Sequence, residues 1–342
     1  MKERTRVWFI VNPISGTGDK RYVLELIPQY MEAGQFVYEI KFTDHRGHAA
    51  EYALQAVQEG VDVVVAVGGD GTVNEVARSL IHTQVALGII PCGSGNGLAR
   101  HLYIPMNPQG ALRVLAECRI EALDYGRING MPFFCTCGVG FDAFVSSKFA
   151  QSGRRGLISY IENTLREGMK YTPLTYELEV DGEVQQCEAF LIACANASQY
   201  GNNAFIAPHA SMSDGLMDVT IMEPFNVLEA PQIALQLFNR TITQNSHIRT
   251  FRCRSLRIRR PEPGVIHYDG DPKEEGCDIS VELIPHDIRM VVNAQEQPAQ
   301  PAMLQTFNDL YDKLNQNLRR DFREGRERIR SINQDLLKLL KS

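Results

Sequence analysis

The first third of the chain alternates short apolar runs with longer segments in which apolar residues recur every three or four positions. The runs predict strands at 7–11, 36–42, 62–67 and 85–90. The longer segments predict helices at 21–31, 47–58, 73–80 and 109–118. Strands that alternate with helices are typical of a parallel sheet covered on both faces. We therefore predict an α/β domain over residues 1–122.

From residue 120 onward the pattern changes to short alternating runs of apolar and polar residues, separated by turn-forming residues. These runs predict strands at 122–128, 133–138, 174–180, 184–195, 217–222, 250–259, 265–268 and 278–283. Helical periodicity interrupts them at 141–149, 157–167 and 226–238. The pattern predicts an all-β second domain, a β-sandwich, over residues 123–294.

The last part of the chain has a different composition. Residues 295–302 are rich in Pro, Gln and Ala and predict a linker, and residues 303–342 predict an amphipathic helix or helix pair. Residues 319–330 contain six arginines and three acidic residues. Three interpretations stay open: the tail packs on its own protein, forms a homodimer with a second copy, or lies on anionic lipid.

Charge and composition limit the classes of function and location that the sequence is compatible with. A formal net charge of −6 over 342 residues gives no reason to expect a nucleic-acid partner. No apolar run is long enough to span a bilayer, and the charged amino terminus lacks a signal-peptide core, so we expect a cytoplasmic protein. The eight cysteines show no paired metal spacing, which favours free thiols. The histidines show no ligand spacing either, so His45, His48, His101, His209 and His267 are predicted to have surface or capping roles.

Two glycine-rich loops follow adjacent predicted strands. The first is Gly68-Gly-Asp-Gly-Thr72 and the second is Gly93-Ser-Gly-Asn96. Glycines let backbone N–H groups point inward to bind an anion, and the helix that follows adds its partial positive charge. A carboxylate at Asp70 would repel phosphates unless Mg²⁺ bridges them or the carboxylate accepts a proton from an attacking hydroxyl. The alternative is that Asp70 only caps the next helix.

The loops should meet at one edge of the predicted sheet, because the carboxyl ends of parallel strands lie together. The segments after 11, 42, 67 and 90 would then form one pocket. That pocket would contain Asn12, Thr43 and the two glycine loops. We predict that it is the ligand site.

Several ordered motifs resemble the lipid kinases of the diacylglycerol kinase and sphingosine kinase superfamily. They are Asn12-Pro13, Gly68–Thr72 with Asn74-Glu75, Gly93–Asn96, Gly138-Val-Gly-Phe-Asp142, Ser213-Asp-Gly-Leu-Met-Asp218 and Asp269-Gly270-Asp271. The similarity covers roughly residues 6–290. It implies an amino-terminal nucleotide domain, a β-sandwich lipid domain, and transfer of the γ-phosphoryl group of ATP to a lipid hydroxyl with Mg²⁺. It also implies peripheral contact with the inner face of the membrane, where the lipid acceptor resides.

The resemblance also implies roles for individual residues. Asp70, Asp214 and Asp271 would be catalytic, and Asp70, Asp214 and Asp218 would hold Mg²⁺. The nucleotide would be bound by Asn12, Thr43, Gly69, Gly71, Thr72, Gly93, Ser94, Gly95, Asn96 and Arg154. Ordinary structural roles stay open for several of them: a turn at Asp214, a hairpin at Asp271, a helix cap at Thr43 and a surface turn at Arg154.

The sequence departs from the family pattern at two places. Family members commonly have Asp-Gly-Glu where this chain has Asp269-Gly270-Asp271, so the last carboxylate has a shorter reach. The second loop is closer to the sphingosine kinase form, whereas Gly140-Phe141-Asp142 is typical of bacterial diacylglycerol kinases. The acceptor therefore stays open: diacylglycerol and a sphingoid base are favoured, and an undecaprenol-like alcohol also offers a primary hydroxyl. The alternatives to a lipid kinase are an NAD kinase-like enzyme and a catalytically weak lipid-binding protein.

Overall fold

The computed structural model describes residues 4–15, 20–144, 171–180, 182–226 and 229–294. The predicted linker at 295–302, the predicted helices at 157–167 and 303–342, and Arg154 lie outside the described residues. Within the part of the chain that is described, no helix is long and apolar enough to cross a membrane.

The amino-terminal part is a parallel sheet with helices between its strands. Its elements are β1 (Thr5–Val11), α1 (Lys20–Tyr30), β2 (Phe36–Phe42), α2 (His48–Gln58), β3 (Val63–Gly68), α3 (Asp70–Leu80), β4 (Ala86–Pro91), α4 (Gly97–His101) and α5 (Pro108–Glu117). The strands are ordered β2-β1-β3-β4 and all pair in parallel. Every residue of β3 and β4 is buried, which explains their continuous apolar sequence. The predicted α/β fold is confirmed.

The rest of the described chain is mostly antiparallel strands. They are β5 (Ile120–Ile128), β6 (Met131–Phe133), β7 (Thr136–Gly140), β8 (Leu174–Val180), β9 (Glu183–Ala189), β10 (Leu191–Ala195) and β11 (Met217–Met222), then α6 (Ala230–Phe238), β12 (Ile248–Cys253), β13 (Ser255–Arg259), β14 (Gly264–Tyr268), β15 (Asp271–Glu275) and β16 (Asp278–Val291). One sheet runs β12-β11-β10-β7-β14-β15. It packs against β8, β9, β13 and β16 around a second core that includes Tyr176, Ile192 and Val281. The predicted β-sandwich is confirmed.

The long strand β16 joins the two parts into one sheet. Its amino-terminal half pairs with β13 in the sandwich, whereas Met290 near its end pairs with Leu87 of β4. The first sheet therefore continues from the parallel strands directly into the sandwich. The predicted boundary after residue 122 lies inside β5, which pairs with β16 along most of its length.

Some predicted strands are shorter or longer in the structure. The run 133–138 contains two strands, because the backbone at Phe134 and Cys135 leaves the ladder and donates hydrogen bonds to the Asp269 carboxylate. The run 184–195 is also two strands, separated at Phe190. β16 extends eight residues beyond the predicted end at 283.

Candidate active site

The two glycine loops meet at the carboxyl edge of the parallel sheet. The Cys92 N–H donates to the Gly68 carbonyl at 2.7 Å. A Cβ placed on Gly93 would lie 2.6 Å from the Cα of Gly69 and 2.9 Å from Asn96 Oδ1. No side chain fits in so short a distance, so glycine is required where the loops touch.

Asp70 connects the two loops. It is the first residue of α3, and its Oδ2 accepts the Asn96 N–H at 2.8 Å while its Oδ1 accepts the Gly97 N–H at 2.7 Å. Both N–H groups belong to the amino-terminal end of α4. Asp70 thus caps α4 across the cleft rather than capping its own helix, and each oxygen keeps a lone pair for a further ligand.

Asn96 gives the second loop its shape. Its side-chain Oδ1 accepts the Gly93 N–H at 2.9 Å, and its Nδ2 donates to the Gly93 carbonyl at 2.8 Å. Its φ is 51°, in the left-handed region. The amide therefore closes the loop, and its contribution to an anion site is to hold the neighbouring backbone in place.

The other predicted nucleotide residues surround the same edge. Asn12 Nδ2 donates to Thr72 Oγ1 at 3.1 Å, which connects the loop after β1 to the first turn of α3. The Thr43 N–H donates to the Val11 carbonyl at 2.9 Å. Gly71 and Ser94 are exposed at the mouth, whereas Gly69 and Gly95 are half-buried. The contacts of Asn12 and Thr43 place both residues at this edge of the sheet. The ligand roles of all these residues stay predictions.

Lys20 is a residue that the sequence did not point to. It is only 7% exposed, and its ammonium group donates to the Ser15 carbonyl in the loop after β1. A buried lysine at this edge supplies a positive charge beside the glycine loops. The chain lacks the Gly-Lys-Ser/Thr spacing of a P-loop, so no local motif marks Lys20.

Asp271 is held by arginine. Both terminal nitrogens of Arg78 lie 3.2 Å from Asp271 Oδ2, and Arg46 Nη2 lies 3.9 Å from Oδ1. The Arg78 guanidinium also lies 4.8 Å from the centre of the Tyr268 ring. Arg78 belongs to α3, the helix that Asp70 begins. The structure therefore ties Asp271 to the nucleotide side of the cleft through an ion pair.

Asp214 and Asp218 lie together around a different arginine. Arg252 Nη2 contacts Asp214 Oδ2, and Arg252 Nε lies 3.4 Å from Asp218 Oδ2. Burial raises the pKa of the Asp218 carboxyl, and Arg252 opposes that effect. The three predicted catalytic acids thus have three separate sets of partners. The predicted metal role of Asp214 and Asp218 would require a cation beside the Arg252 guanidinium.

Two further carboxylates, Asp124 and Asp269, hold backbone segments together in a way that the sequence does not indicate. Asp124 is fully buried in β5 and accepts the N–H groups of Gly215 and His286, both at 2.8 Å. It therefore fixes the loop that contains Asp214. Asp269 accepts three backbone N–H groups, from residues 134, 135 and 136. Neither has a local signal, since all of their partners are distant in sequence.

His267 forms a buried group with Asp142. Its Nε2 lies 2.9 Å from Asp142 Oδ2, and the Tyr200 hydroxyl donates to the same oxygen at 3.2 Å. His267 is 2% exposed and Asp142 is 7% exposed. The predicted surface or capping role of His267 is wrong, because its partner lies 125 residues earlier in the chain.

We expect Gly93→Ala to weaken nucleotide binding strongly. The added methyl group would push the second loop away from Gly69 and break the Asn96 closure. Overpacking of this kind costs about 1–3 kcal/mol, so the Kd for an ATP analogue should rise about tenfold or more. Isothermal titration calorimetry would measure it. Gly130→Ala is a control for the introduction of a methyl group alone, because nothing lies within 4 Å of the new atom; its positive φ costs some stability but is remote from the loops. Equal affinity in Gly93→Ala and wild type would contradict close packing of the two glycine loops, 68–72 and 93–96, which together we call the cradle.

Two family profiles together cover almost all of the described chain. Residues 6–128 match the diacylglycerol kinase catalytic domain, and residues 135–292 match the YegS C-terminal NAD kinase beta sandwich-like domain. A diacylglycerol kinase of Mycobacterium tuberculosis is 31% identical over 277 residues, which are 78% of this chain and 88% of that protein. An uncharacterised protein of Synechocystis is 27% identical over 281 residues, and this chain spans 64% of its length.

Solved structures share the fold. A diacylglycerol kinase from Bacillus anthracis superimposes with a TM-score of 0.68 at 23% identity, covering 86% of this chain and 99% of that one. An NAD kinase from Archaeoglobus fulgidus in complex with ATP gives a TM-score of 0.51 at 12% identity, over 85% and 94% of the two chains. These likenesses show a common fold. Both profiles and the mycobacterial relative show that the chain belongs to the diacylglycerol kinase family of lipid kinases.

Proposed function

We propose that this protein transfers the γ-phosphoryl group of ATP to the free hydroxyl of diacylglycerol. The observation that carries the proposal is the contact between the two glycine loops, with Asp70 bonded across them, in a chain of the diacylglycerol kinase family. Phosphoryl transfer needs a positioned phosphate chain, charge neutralisation and a proton acceptor, and this edge of the sheet supplies residues for each.

The cradle suits a triphosphate. The two loops can approach each other only because they lack side chains at the point of contact, and the helix α3 begins there. The first N–H groups of α4 are taken by Asp70, so α3 supplies the helix end that faces an anion. Lys20 adds a positive charge on the side of the loop after β1. In the proposed complex, Gly69, Gly95 and their neighbours bind phosphate oxygens through N–H groups, while Asn12 and Thr43 border the nucleotide.

The donor set at Asp70 suits Mg²⁺. A single carboxylate with free lone pairs, completed by phosphate oxygens and water, is the type of site in which Mg²⁺ is commonly bound beside a nucleotide. When bound, Mg²⁺ would neutralise charge on the transferred phosphoryl group. Asp70 would in addition orient the acceptor hydroxyl and take up its proton, directly or through water. Asp214 and Asp218 share the single positive charge of Arg252, so we assign them a supporting role in the loop.

The surroundings of Asp142 favour diacylglycerol over a sphingoid base. A sphingoid base carries an ammonium group, which needs an accessible carboxylate. The Asp142 carboxylate is buried and already bonded to His267 and Tyr200. Diacylglycerol is neutral and needs no such partner. Because it resides in the membrane, the proposal also requires peripheral contact with a membrane surface.

The test is a radiolabelled-ATP assay in mixed micelles with diacylglycerol, sphingosine or a polyprenol as acceptor, and with NAD in solution. We expect a labelled lipid from diacylglycerol that depends on Mg²⁺, and none from NAD. Labelling of sphingosine alone would overturn the acceptor assignment, and labelling of NAD alone would establish the NAD kinase alternative. No labelled product from any acceptor would overturn the kinase proposal.

A catalytically weak lipid-binding protein is the second candidate, because Arg78 occupies the carboxylate of Asp271. The same assay separates the two candidates when Asp271→Asn is included. A kinase that uses this carboxylate loses activity in the variant. A binding protein shows background turnover before and after the change, while it still associates with diacylglycerol vesicles.

A further inference from the structure

The loop after β2 brings three metal-ligating side chains together. They are Asp44, His45 and His48, whose ligand atoms all lie within 4.8 Å of one another. His48 Nδ1 is 2.7 Å from Asp44 Oδ1, and His45 Nδ1 contacts the same oxygen. Two imidazole nitrogens and one carboxylate oxygen therefore converge on a single point beside the amino-terminal end of α2.

The outer contacts of the two rings leave both Nδ1 atoms facing Asp44. His45 Nε2 lies 3.3 Å from Glu51 Oε1, so a neutral ring that carries its proton on Nε2 has the lone pair of Nδ1 on the Asp44 side. The Asp44 backbone N–H is directed at His48 Nδ1 at 3.3 Å, a contact that also uses a lone pair on that nitrogen. In these tautomers the two imidazole lone pairs and the Asp44 oxygen face one point, the arrangement that a bound metal ion completes.

The two imidazole rings lie close together and nearly parallel. Their centroids are 4.5 Å apart and their planes are inclined by 20°. The three ligand atoms lie within 4.8 Å of one another, so a divalent cation between them would attract all three at once.

The geometry points to a binding site for a divalent transition metal of the Zn²⁺ class, held by Asp44 Oδ1 and by the Nδ1 atoms of His45 and His48. Imidazole nitrogens favour Zn²⁺ and its neighbours over Mg²⁺, which prefers oxygen ligands. Glu51 accepts the outer N–H of His45, as carboxylates commonly do for metal-bound histidines. The His48 ring is stacked on Tyr52 at 4.2 Å, which fixes its orientation.

The position of the site has one electrostatic cost. It lies at the amino-terminal end of α2, where the helix dipole disfavours a cation. Asp44 and Glu51 supply two negative charges at the same end, which offset the dipole and part of the metal charge. A surface site with three protein ligands leaves the remaining coordination positions to water.

The metal would stabilise the loop next to the nucleotide cradle. The Gly47 N–H donates to Glu75 Oε1 of α3 at 3.1 Å, and Arg46 lies 3.9 Å from Asp271. Binding at Asp44, His45 and His48 would therefore fix the segment that leads from Thr43 to α2. This role is structural and separate from phosphoryl transfer, so it does not depend on the proposed kinase activity.

The test is a Zn²⁺ titration of metal-free full-length protein in competition with a chromophoric zinc chelator. We expect one site in wild type whose affinity falls about tenfold or more in His45→Gln and in His48→Gln. His82→Gln is the matched control, because the His82 side chain is 54% exposed like that of His45 and also contacts an aspartate, Asp287. It should bind Zn²⁺ as wild type does. Substitution by Co²⁺ adds a visible absorption band that the two site variants lose.

The titration separates this site from other zinc ligands in the chain. Zn²⁺ bound by cysteine thiols is unaffected by His45→Gln or His48→Gln. Thermal unfolding in the presence of a chelator checks that the variants are folded, since the His45 side chain is 54% exposed and that of His48 is 16% exposed. Equal Zn²⁺ affinity in wild type, His45→Gln and His48→Gln would overturn the proposal whatever the result of the kinase assay.

Discussion

Replacement of Asp70 by asparagine is expected to lower kcat/KM for ATP by about a thousandfold, the range of a lost acid–base group at a phosphoryl-transfer site. The carboxylate accepts one N–H on each oxygen, from Asn96 and Gly97. An asparagine keeps one acceptor and turns its NH₂ group toward the other donor. One backbone N–H at the start of α4 then loses its partner, and the charge that would face Mg²⁺ and the acceptor proton disappears.

Asp62→Asn is the matched control for that experiment. Asp62 also accepts a backbone N–H, from Arg6 at 2.7 Å, but it precedes β3 whereas Asp70 follows it. The Asp62→Asn variant should retain nearly wild-type turnover. Steady-state kinetics with diacylglycerol micelles would compare the two proteins at matched folding, checked by thermal unfolding. Near-wild-type turnover of Asp70→Asn would remove Asp70 from the mechanism.

The largest loss of stability is expected from Asp269→Ala. Its carboxylate accepts N–H groups from Phe134, Cys135 and Thr136 at 2.7–3.1 Å, and these three residues are at most 8% exposed. Burial raises the pKa of the Asp269 carboxyl, and the three N–H groups oppose that rise. Alanine leaves all three donors without a partner. We expect a destabilisation of about 3–5 kcal/mol, since each unsatisfied buried donor costs about 1–3 kcal/mol and water recovers part of it.

Chemical denaturation of wild type and Asp269→Ala would measure the difference in the free energy of unfolding. In thermal unfolding, the Tm of Asp269→Ala should fall by about 10 °C. Asp278→Ala is the control, because Asp278 lies in the same part of the chain but its side chain is 73% exposed and its ion-pair partner is the exposed Arg259. A surface ion pair of this kind contributes about 0–1 kcal/mol. If the two variants lose the same stability, the Asp269 hydrogen bonds do not hold the strand break at residues 134 and 135.

The sequence predicted the parallel half of the fold well because its signals are local. Buried strands such as β3 and β4 are continuous apolar runs, and each glycine loop follows its strand directly. The rule that parallel strands end at one edge was enough to place Asn12, Thr43 and both loops together. The contact between Asn12 and Thr72 agrees with that reasoning.

The parts that could not be predicted depend on partners far apart in the chain. Periodicity gives no information on the pairing of β16 with β4. It therefore predicts a domain boundary after residue 122, although one sheet continues across that position. The His267–Asp142 contact and the three N–H groups on Asp269 join segments more than a hundred residues apart. Asp70 was recognised as important, but its bonds to α4 depend on how the two loops fold against each other.

The position of β16 has a consequence for synthesis on the ribosome. Strand β4 is covered on its outer side by a segment that ends at residue 291, which emerges two hundred residues later. Until then the nascent nucleotide half has an exposed strand edge, which can pair with another chain. We therefore expect the two halves to complete folding together, only after β16 has been synthesised. A protein truncated before residue 278 should aggregate.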